Sequence, residues 1–308
     1  MTGIASIAVR FALYLDLMLL FGVPAFAVLI HCGRRDDDGF ALRPTVAACA
    51  VVGLALSAAG IALLAASMSG VAVAALDFVT IRMVVTGTAT GTAWLVRVAV
   101  LLLALVVALA GGGRRLGGAA LMLCGAIALA TLAWQGHGVM DDGRTGIVHL
   151  VADIGHIVAA GIWVGALAAL AIMAFQPADR LDAERLAYLH SALAGFARVG
   201  TFAVRLIVVT GLVNAWLLVG PDHVRSLGAT VYGQLLLAKL ALFALMLLLA
   251  ALNRFSLVPA LGCAAGHGNV GAAIRALRLS LALETASAVT ILGLVAWLGT
   301  LAPPASPM

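Results

Sequence analysis

The chain has 308 residues, of which 64% are hydrophobic and 10% are charged, and its net charge is +5. Soluble domains are about half apolar and roughly a quarter charged, so this composition excludes an ordinary soluble protein. The positive charge does not indicate nucleic-acid binding, because the basic residues lie mostly in short segments between long apolar runs. Membrane proteins specify their topology in this way.

Eight apolar runs are long enough to cross a bilayer, which takes roughly 20 residues. They cover residues 4–31, 45–69, 92–110, 116–135, 147–175, 197–219, 232–253 and 279–301. We therefore predict an all-α polytopic membrane protein with eight transmembrane helices in a single membrane domain, residues 1–308. The first run is too long for the apolar region of a signal peptide, and we expect it to remain in the mature protein.

The arginines between the spans indicate the orientation of the chain. Eleven follow spans one, three, five or seven, and three lie in the other segments between spans. Because basic residues are retained on the cytoplasmic side, the eleven-arginine side is predicted to be cytoplasmic and both termini periplasmic. The eleven are Arg34, Arg35, Arg43, Arg114, Arg115, Arg180, Arg185, Arg198, Arg254, Arg275 and Arg278, and the three are Arg82, Arg144 and Arg225.

Two segments between the spans are expected to lie along the membrane surface. Residues 70–91 form a long, fairly apolar connection on the outer side. Residues 179–199 have the pattern of a short amphipathic helix that runs along the cytoplasmic face.

Similar segments in the two halves indicate an internal duplication. "TATGTAWLVR" (88–97) leads into the third span and "TVYGQLLLAK" (230–239) into the seventh, and both read Thr-x-x-Gly-x5-basic. The fourth and eighth spans also end alike, at "LAWQGH" (132–137) and "VAWLGT" (295–300). We predict two tandem four-helix repeats, residues 1–137 and 138–308.

Ionisable side chains within the spans are costly, on the order of 2.5–3.5 kcal/mol for each charge at a helix centre. We expect them to face the interior of the bundle and, for the most part, to pair with one another. Structural ion pairs are predicted for Arg10, Arg97, Arg205, Lys239 and Glu284. Glu284 is expected either to pair with Arg205 or to cap a polar network at the cytoplasmic side. The remaining groups of this kind are Asp16, Asp153 and His156.

The fifth span carries polar residues at helical spacing. His149, Asp153 and His156 stand at i, i+4 and i+7, which puts them on one face of a helix. The span is predicted to enter the membrane from outside near His149, so Asp153 lies about 6 Å deeper and His156 about 10 Å deeper. The three residues form a ladder of potential ligands that descends from the outer surface.

The preceding span ends near this ladder, at "WQGHGVMDDGRTG" (134–146). Its His137, Met140, Asp141 and Asp142 would share the outer face with His149. Imidazole suits copper and zinc, and thioether favours Cu(I), so this mouth is typical of a site for a late first-row metal. The candidate metal ligands are His137, Met140, His149, Asp153 and His156. The residues alone leave open that the histidines are hydrogen-bonded packing residues and that the loop aspartates are merely solvated.

The sequence resembles the copper resistance D family (CopD/PcoD) of bacterial inner-membrane proteins. The resemblance covers nearly all of the second half and is looser in the first. It is carried by "WQGHGV", "HLVADIGHIVAAGIWVGALAAL", "FARVGTFAVRLIVVTGLVNAWLLVG", "TVYGQLLLAKLALFALMLLLAALNR" and "LRLSLALETASAVTILGLVAWLGTLAPP". The family-like positions are Gly136, His137, His149, Asp153, His156, Trp163, Gly165, Asn214, Gly233, Lys239, Asn253, Arg254, Glu284 and Pro303.

The resemblance implies copper handling, usually uptake into the cytoplasm, with a separate periplasmic CopC-type copper-binding protein as partner. The chain contains no nucleotide-binding motif, so we expect a copper transporter in contact with membrane lipid rather than an enzyme. Residues near the cytoplasmic side that could form an exit are His31, Cys32, Cys49, Cys263 and His267. Two alternatives stay open: a haem-binding electron-transfer protein, which needs axial histidines at matched depth, and a copper-sensing or structural subunit that transports nothing.

Overall fold

The computed structural model describes residues 2–30, 42–110, 114–135, 143–177, 183–267 and 270–304. Within these ranges the chain is helical and contains no strand. The α-helices are α1 (Thr2–Leu29), α2 (Leu42–Ser69), α3 (Phe78–Gly87), α4 (Ala89–Ala110), α5 (Arg114–Ala130), α6 (Gly143–Ala174), α7 (Ala183–Leu218), α8 (Val231–Leu252), α9 (Val258–His267) and α10 (Val270–Leu298). Short 3₁₀ segments occupy Val73–Ala75, Thr131–Gln135 and Pro221–Ala229, and one π-helical turn occupies Asn253–Leu257.

The eight predicted spans are confirmed in the described residues. Eight helices are long and apolar enough to cross a membrane. The ten-residue α3 is too short to be one of them. The seventh span continues through the π-helical turn into α9, so that it runs from Val231 to Cys263.

Helix α1 lies at the centre of the bundle and packs against α2, α5, α6 and α10. Its contact with α6 is a close backbone approach. A Cβ atom on Gly22 would lie 2.1 Å from Gly161 O, and one on Gly165 would lie 2.1 Å from the carbonyl carbon of Gly22. No side chain fits at these two positions, so the glycines allow the first helix of the chain to join the second half.

Arg10 of α1 ties the ends of two other spans together. Its Nη1 donates to Gly299 O and its Nη2 donates to Gln135 O, each at 2.5 Å. These carbonyls lie where the eighth and fourth spans end, in the two similar segments 295–300 and 132–137. We call this end of the bundle, which also holds the first residues of α1, the terminal end, and the other end the opposite end.

Helices α4 and α8 begin with the same capping geometry. Thr88 Oγ1 accepts from Gly91 N at 2.9 Å, and Thr230 Oγ1 accepts from Gly233 N at 3.1 Å. Each glycine lies directly against the preceding helical segment, where a Cβ atom would come within 2.3 Å and 1.9 Å of a backbone oxygen, respectively. The repeated Thr-x-x-Gly is therefore a helix N-cap that needs glycine for close packing. Repetition of the whole four-helix unit stays a prediction.

The amphipathic segment before the sixth span is not a separate helix, and that prediction is wrong. Helix α7 runs without interruption from Ala183 to Leu218. Leu186, Leu189 and Leu193 are buried, and the buried positions Gly200, Ala203 and Ile207 continue the same helical spacing. Because one apolar stripe serves both parts, the helix has no reason to break between them.

The connection between the second and third spans contains helix α3. Asp77 caps it by accepting from Thr80 N at 2.8 Å, and hydrogen bonding to Thr80 lowers the pKa of the Asp77 carboxyl. Phe78, Val79 and Met83 of α3 are exposed. An exposed apolar face of this kind fits a membrane surface, and the surface position of the segment stays a prediction.

Candidate metal site

Two residues of the predicted ladder, Asp153 and His156, contact α7. His149 is buried, with 2% of its surface exposed, while Asp153 and His156 are half-buried. The candidate ligands His137 and Met140, like Asp141 and Asp142, lie outside the described residues. The structure therefore describes three of the five predicted ligands.

The ring of His156 is held by Thr210 of α7, with 3.1 Å between His156 Nδ1 and Thr210 Oγ1. The single hydroxyl proton of Thr210 is donated to Leu206 O at 2.6 Å, so Thr210 Oγ1 accepts from His156. This network assigns the proton of a neutral His156 to Nδ1 and leaves the lone pair on Nε2 for a ligand. An anchored second nitrogen is how proteins orient metal-binding histidines.

Asp153 is contacted one turn further along the same face of α7. Asn214 Nδ2 donates to Asp153 Oδ1 over 3.5 Å, a long hydrogen bond. Asn214 Oδ1 is buried without a hydrogen-bond partner. Thr210 and Asn214 are separated by four residues, so they form a polar stripe on α7 that lies beside the ladder on α6.

Asp153 interacts electrostatically with three other ionisable groups, of which His149 belongs to the ladder. His149 and Lys239 of α8 both act on Asp153. Tyr14 of α1, which is 9% exposed, is hydrogen-bonded to Arg10 and interacts electrostatically with Asp153. The site is thus assembled from α1, α6, α7 and α8, and Asp153 is at its centre.

The ladder residues form a line rather than a cage. Among the described residues, no group of three or more His, Cys, Asp or Glu side chains converges to hold a metal ion. The spacing along α6 explains this, since His149 and His156 are about 10 Å apart along the helix axis.

The predicted pairing of Arg205 with Glu284 is wrong. Arg205 is exposed on α7, and no hydrogen bond or ion pair joins these two described residues. Glu284 is 2% exposed and accepts instead from Asn253 Nδ2. Asn253 opens the π-helical turn between α8 and α9, and such a turn changes which side chains point inward.

Arg10 and Arg97 have neutral hydrogen-bond partners rather than the carboxylates that an ion pair requires. Arg97 is fully buried, and its Nε donates to Thr131 Oγ1 at 2.8 Å. With the Gln135 amide turned so that its oxygen faces the guanidinium, Gln135 accepts from both terminal nitrogens of Arg97 at 3.2 Å. Arg10 donates to the two carbonyls named above.

The residues that could form an exit do not come together among the described side chains. Cys49 of α2 is hydrogen-bonded to Asp16 of α1, and Cys263 is exposed. His31, Cys32 and the side chain of His267 lie outside the described part of the chain. The Asp16–Cys49 contact belongs to α1 and α2, where Gly53 leaves room for the carboxylate.

Sequence reasoning did not assign Thr210 or Asn214 to the site, although Asn214 is among the family-like positions. A single threonine or asparagine in an apolar span has many ordinary explanations, because threonine commonly bonds to its own helix backbone. The available signal was their four-residue spacing, which matches the spacing of His149 and Asp153 on the neighbouring span.

Both halves of the chain match known families. Residues 1–147 match the family model described as copper resistance protein D-like, N-terminal domain, and residues 190–298 match the one described as copper resistance protein D. The chain is 45% identical to copper resistance protein D of Pseudomonas syringae pv. tomato over 302 residues, which cover 97% of this chain and 96% of that protein.

Two more distant relatives match a smaller part of the chain. Inner membrane protein YebZ of Escherichia coli (strain K12) is 31% identical over 128 residues, 42% of each chain. Copper transport protein CutJ of Bacillus subtilis (strain 168) is 33% identical over 125 residues, 41% of this chain and 22% of that protein. No solved structure matches the chain with significance.

Proposed function

Because this chain belongs to the copper resistance protein D family, we propose that it transports copper across the bacterial inner membrane, from the periplasm to the cytoplasm. Membership makes it a copper-handling, multi-pass membrane protein. The observation that carries the transport proposal is the polar line of His149, Asp153 and His156 inside a bundle of apolar helices. Intramembrane ionisable residues that face the interior mark ion pathways by default.

The arginine distribution supports the direction of the path. The opposite end of the bundle receives the segments with eleven arginines and the terminal end those with three, so the terminal end faces the periplasm. His149 is then the outermost rung of the described ladder. Two relatives carry names that agree with this proposal, since one is called an inner membrane protein and the other a copper transport protein.

Each rung has a distinct chemical task in this proposal. His149 receives copper at the periplasmic side, with His137 and Met140 completing the mouth. Asp153 supplies a carboxylate that either binds the ion or orients a histidine. His156 presents Nε2 for the next transfer, because Thr210 occupies Nδ1. Neutral imidazole binds both oxidation states of copper, so the ladder accepts either.

In this proposal the chain acts as a transporter whose cargo is copper, and not as an enzyme. A separate CopC-type protein would deliver the metal to the terminal end.

Graded substitution of the ladder tests the proposal. Purified variants are titrated with Cu(I) and Cu(II), and copper uptake is measured in proteoliposomes. His137→Ala and His149→Ala should weaken capture, and His156→Ala should block passage while some binding is kept. Asp153→Asn should lie between them, with a loss of roughly 10–100-fold if the carboxylate orients a histidine.

A matched control is His190→Ala, which removes a histidine from the opposite-end part of α7. It should bind and transport copper like the parent. If the variants at His137, His149, Asp153 and His156 also behave like the parent, the stripe is structural and the transport path lies elsewhere. A Soret band in the purified protein would favour the haem alternative, and copper binding without flux would favour a sensor.

A further inference from the structure

A cavity of about 350 Å³ lies toward the opposite end of the bundle, and none of the three ladder residues lines it. Residues of α6, α7, α8, the π-helical turn, α9 and α10 line it. Its walls are mostly apolar, and Trp163 meets Phe196 edge to face with ring centroids 6.3 Å apart. Arg205 and Arg254 also line the cavity and are exposed, so the cavity reaches the protein surface.

Three buried polar side chains line this apolar cavity. Glu284 is 2% exposed, Trp163 is 3% exposed and Asn253 is 8% exposed. Asn253 Nδ2 donates to Glu284 Oε1, but Asn253 Oδ1 and Trp163 Nε1 are buried without hydrogen-bond partners. Buried polar atoms are nearly always bonded to protein or water, so these two atoms mark the cavity as a hydrated site.

Neither arginine of the cavity neutralises Glu284. Arg254 donates to Thr201 Oγ1 at 2.6 Å and to Ala197 O at 3.3 Å, and it lies over the Phe255 ring at 5.4 Å. Arg205 and Glu284 both lie in the described part of the chain, and no hydrogen bond or ion pair joins them. A carboxylate that is buried without a cation pays a large desolvation cost when it is ionised, and protonation removes that cost.

Ionisable groups on the helices that pack against α10 face other parts of the molecule. On α1, Arg10 donates hydrogen bonds to backbone carbonyls at the terminal end, and Asp16 is hydrogen-bonded to Cys49. Lys239 of α8 acts on Asp153. The ionisable groups of α6 are those of the ladder together with Arg144, which is exposed near the start of the helix.

The other basic groups of this end are also engaged elsewhere or exposed. On α10 itself, Arg278 donates to Ala174 O at 2.8 Å and to Gln176 O at 2.7 Å. Arg275 is exposed, and on α9 the described Cys263 is exposed as well.

We propose that Glu284 is a proton-binding site in a hydrated cavity and that it couples copper movement to proton movement. The coupling rests on the proposed function, whereas the proton site does not. Asn253 can serve both states of the carboxyl group: its Nδ2 donates to the ionised form, and after rotation of the amide its Oδ1 accepts from the protonated form. The exposed rim of the cavity gives protons a route to Glu284 through water.

Infrared difference spectra between acidic and alkaline pH test the proton site directly, on the full-length protein in lipid. The parent should show the C=O stretch of a protonated carboxyl group that disappears as the pH rises, and Glu284→Gln should lose that band. Ser280→Ala is the matched control. Ser280 lies one turn from Glu284 on α10, and its buried hydroxyl has no hydrogen-bond partner. This variant should keep the band. An unchanged set of pH-dependent carboxyl bands in Glu284→Gln would overturn the proposal.

A second variant covers the case in which Glu284→Gln does not fold. Asn253→Leu keeps the size of the side chain but removes both hydrogen-bonding atoms that serve the carboxyl group. It should displace the midpoint at which the band disappears. A midpoint equal to that of the parent would also count against the site.

Copper uptake into proteoliposomes that contain a pH-sensitive dye tests the coupling. The parent flux should depend on an imposed pH gradient and should move protons, and Glu284→Gln should bind copper at the ladder but lose the dependence on the gradient. Parent copper flux that ignores the gradient would overturn the coupling and leave the proposed function intact. Absence of parent flux, with the infrared band present, would remove the proposed function and the coupling but leave the proton site.

Discussion

Arg97 of α4 and Lys239 of α8 occupy the same position after the repeated Thr-x-x-Gly cap but have different surroundings. Arg97 is fully buried and is surrounded by neutral acceptors. Lys239 acts on Asp153, in the line of groups proposed to carry copper. The same local motif therefore closes a packed core in the first half and contributes to an ionisable site in the second. Similar local structure does not imply similar function, because the facing helix decides what the basic residue does.

Removal of Arg97 should have the largest effect on stability. Arg97→Met keeps much of the apolar stem but leaves Thr131 and Gln135 with fewer buried partners, which costs on the order of 2–4 kcal/mol of unfolding free energy. Thermal unfolding in detergent measures the loss. Copper affinity of the folded fraction should be unchanged. A large drop in affinity at unchanged stability would show that the first half also takes part in copper binding.

Removal of the Thr210 hydroxyl should lower copper affinity more than it lowers the stability of the fold. Thr210→Val keeps the shape but no longer holds Nδ1 of His156, so copper affinity should fall by roughly 10–100-fold. Thr285→Val is the control, because Thr285 Oγ1 likewise donates to its own helix, at Leu281 O over 2.7 Å, but lies on α10 away from the ladder. Equal effects of the two variants would mean that Thr210 only serves its helix.

Removal of the charge of Lys239 should strengthen copper binding. The ammonium group repels a cation near Asp153, so Lys239→Met should raise copper affinity by on the order of ten-fold. Isothermal titration of the variant and the parent at equal pH measures the change. Weaker copper binding by the variant would show that Lys239 holds the ladder in place rather than repelling the ion. Lys239 would then have a structural role, as Arg97 does.

The two caps should give the smallest effects. Thr88→Val and Thr230→Val each remove one hydrogen bond to the third residue of the helix, which is worth about 1 kcal/mol of stability. Thermal unfolding should show a larger loss for Thr88→Val than for Thr230→Val, because Thr88 Oγ1 also donates to Val84 O at 2.8 Å. Only Thr230→Val should alter copper affinity, since α8 carries Lys239. A change in copper affinity in Thr88→Val would contradict the conclusion that only the second half contributes to the ionisable site.

The spans could be predicted from the sequence because length and apolarity are properties of a local segment. The ladder could be predicted as a stripe for the same reason, since His149, Asp153 and His156 share one helix. Contacts between helices could not. The error about Glu284 arose because Asn253 reaches it through a π-helical turn, which leaves no clear mark on hydropathy. The contact between His156 and Thr210 depends on how α6 and α7 are rotated, and hydropathy restrains that rotation only weakly.

The clamp formed by Arg10 has a consequence for the synthesis of the protein. Its two acceptors lie 125 and 289 residues further along the chain. At about 5–20 residues per second, Gly299 is added to the chain about 15–60 seconds after Arg10. During this time the first helix carries a guanidinium group without its final partners, so the nascent chain must keep it near the lipid headgroups or the insertion machinery. Final seating of the first helix is therefore a late event of biogenesis, completed only when the last helix has entered the membrane.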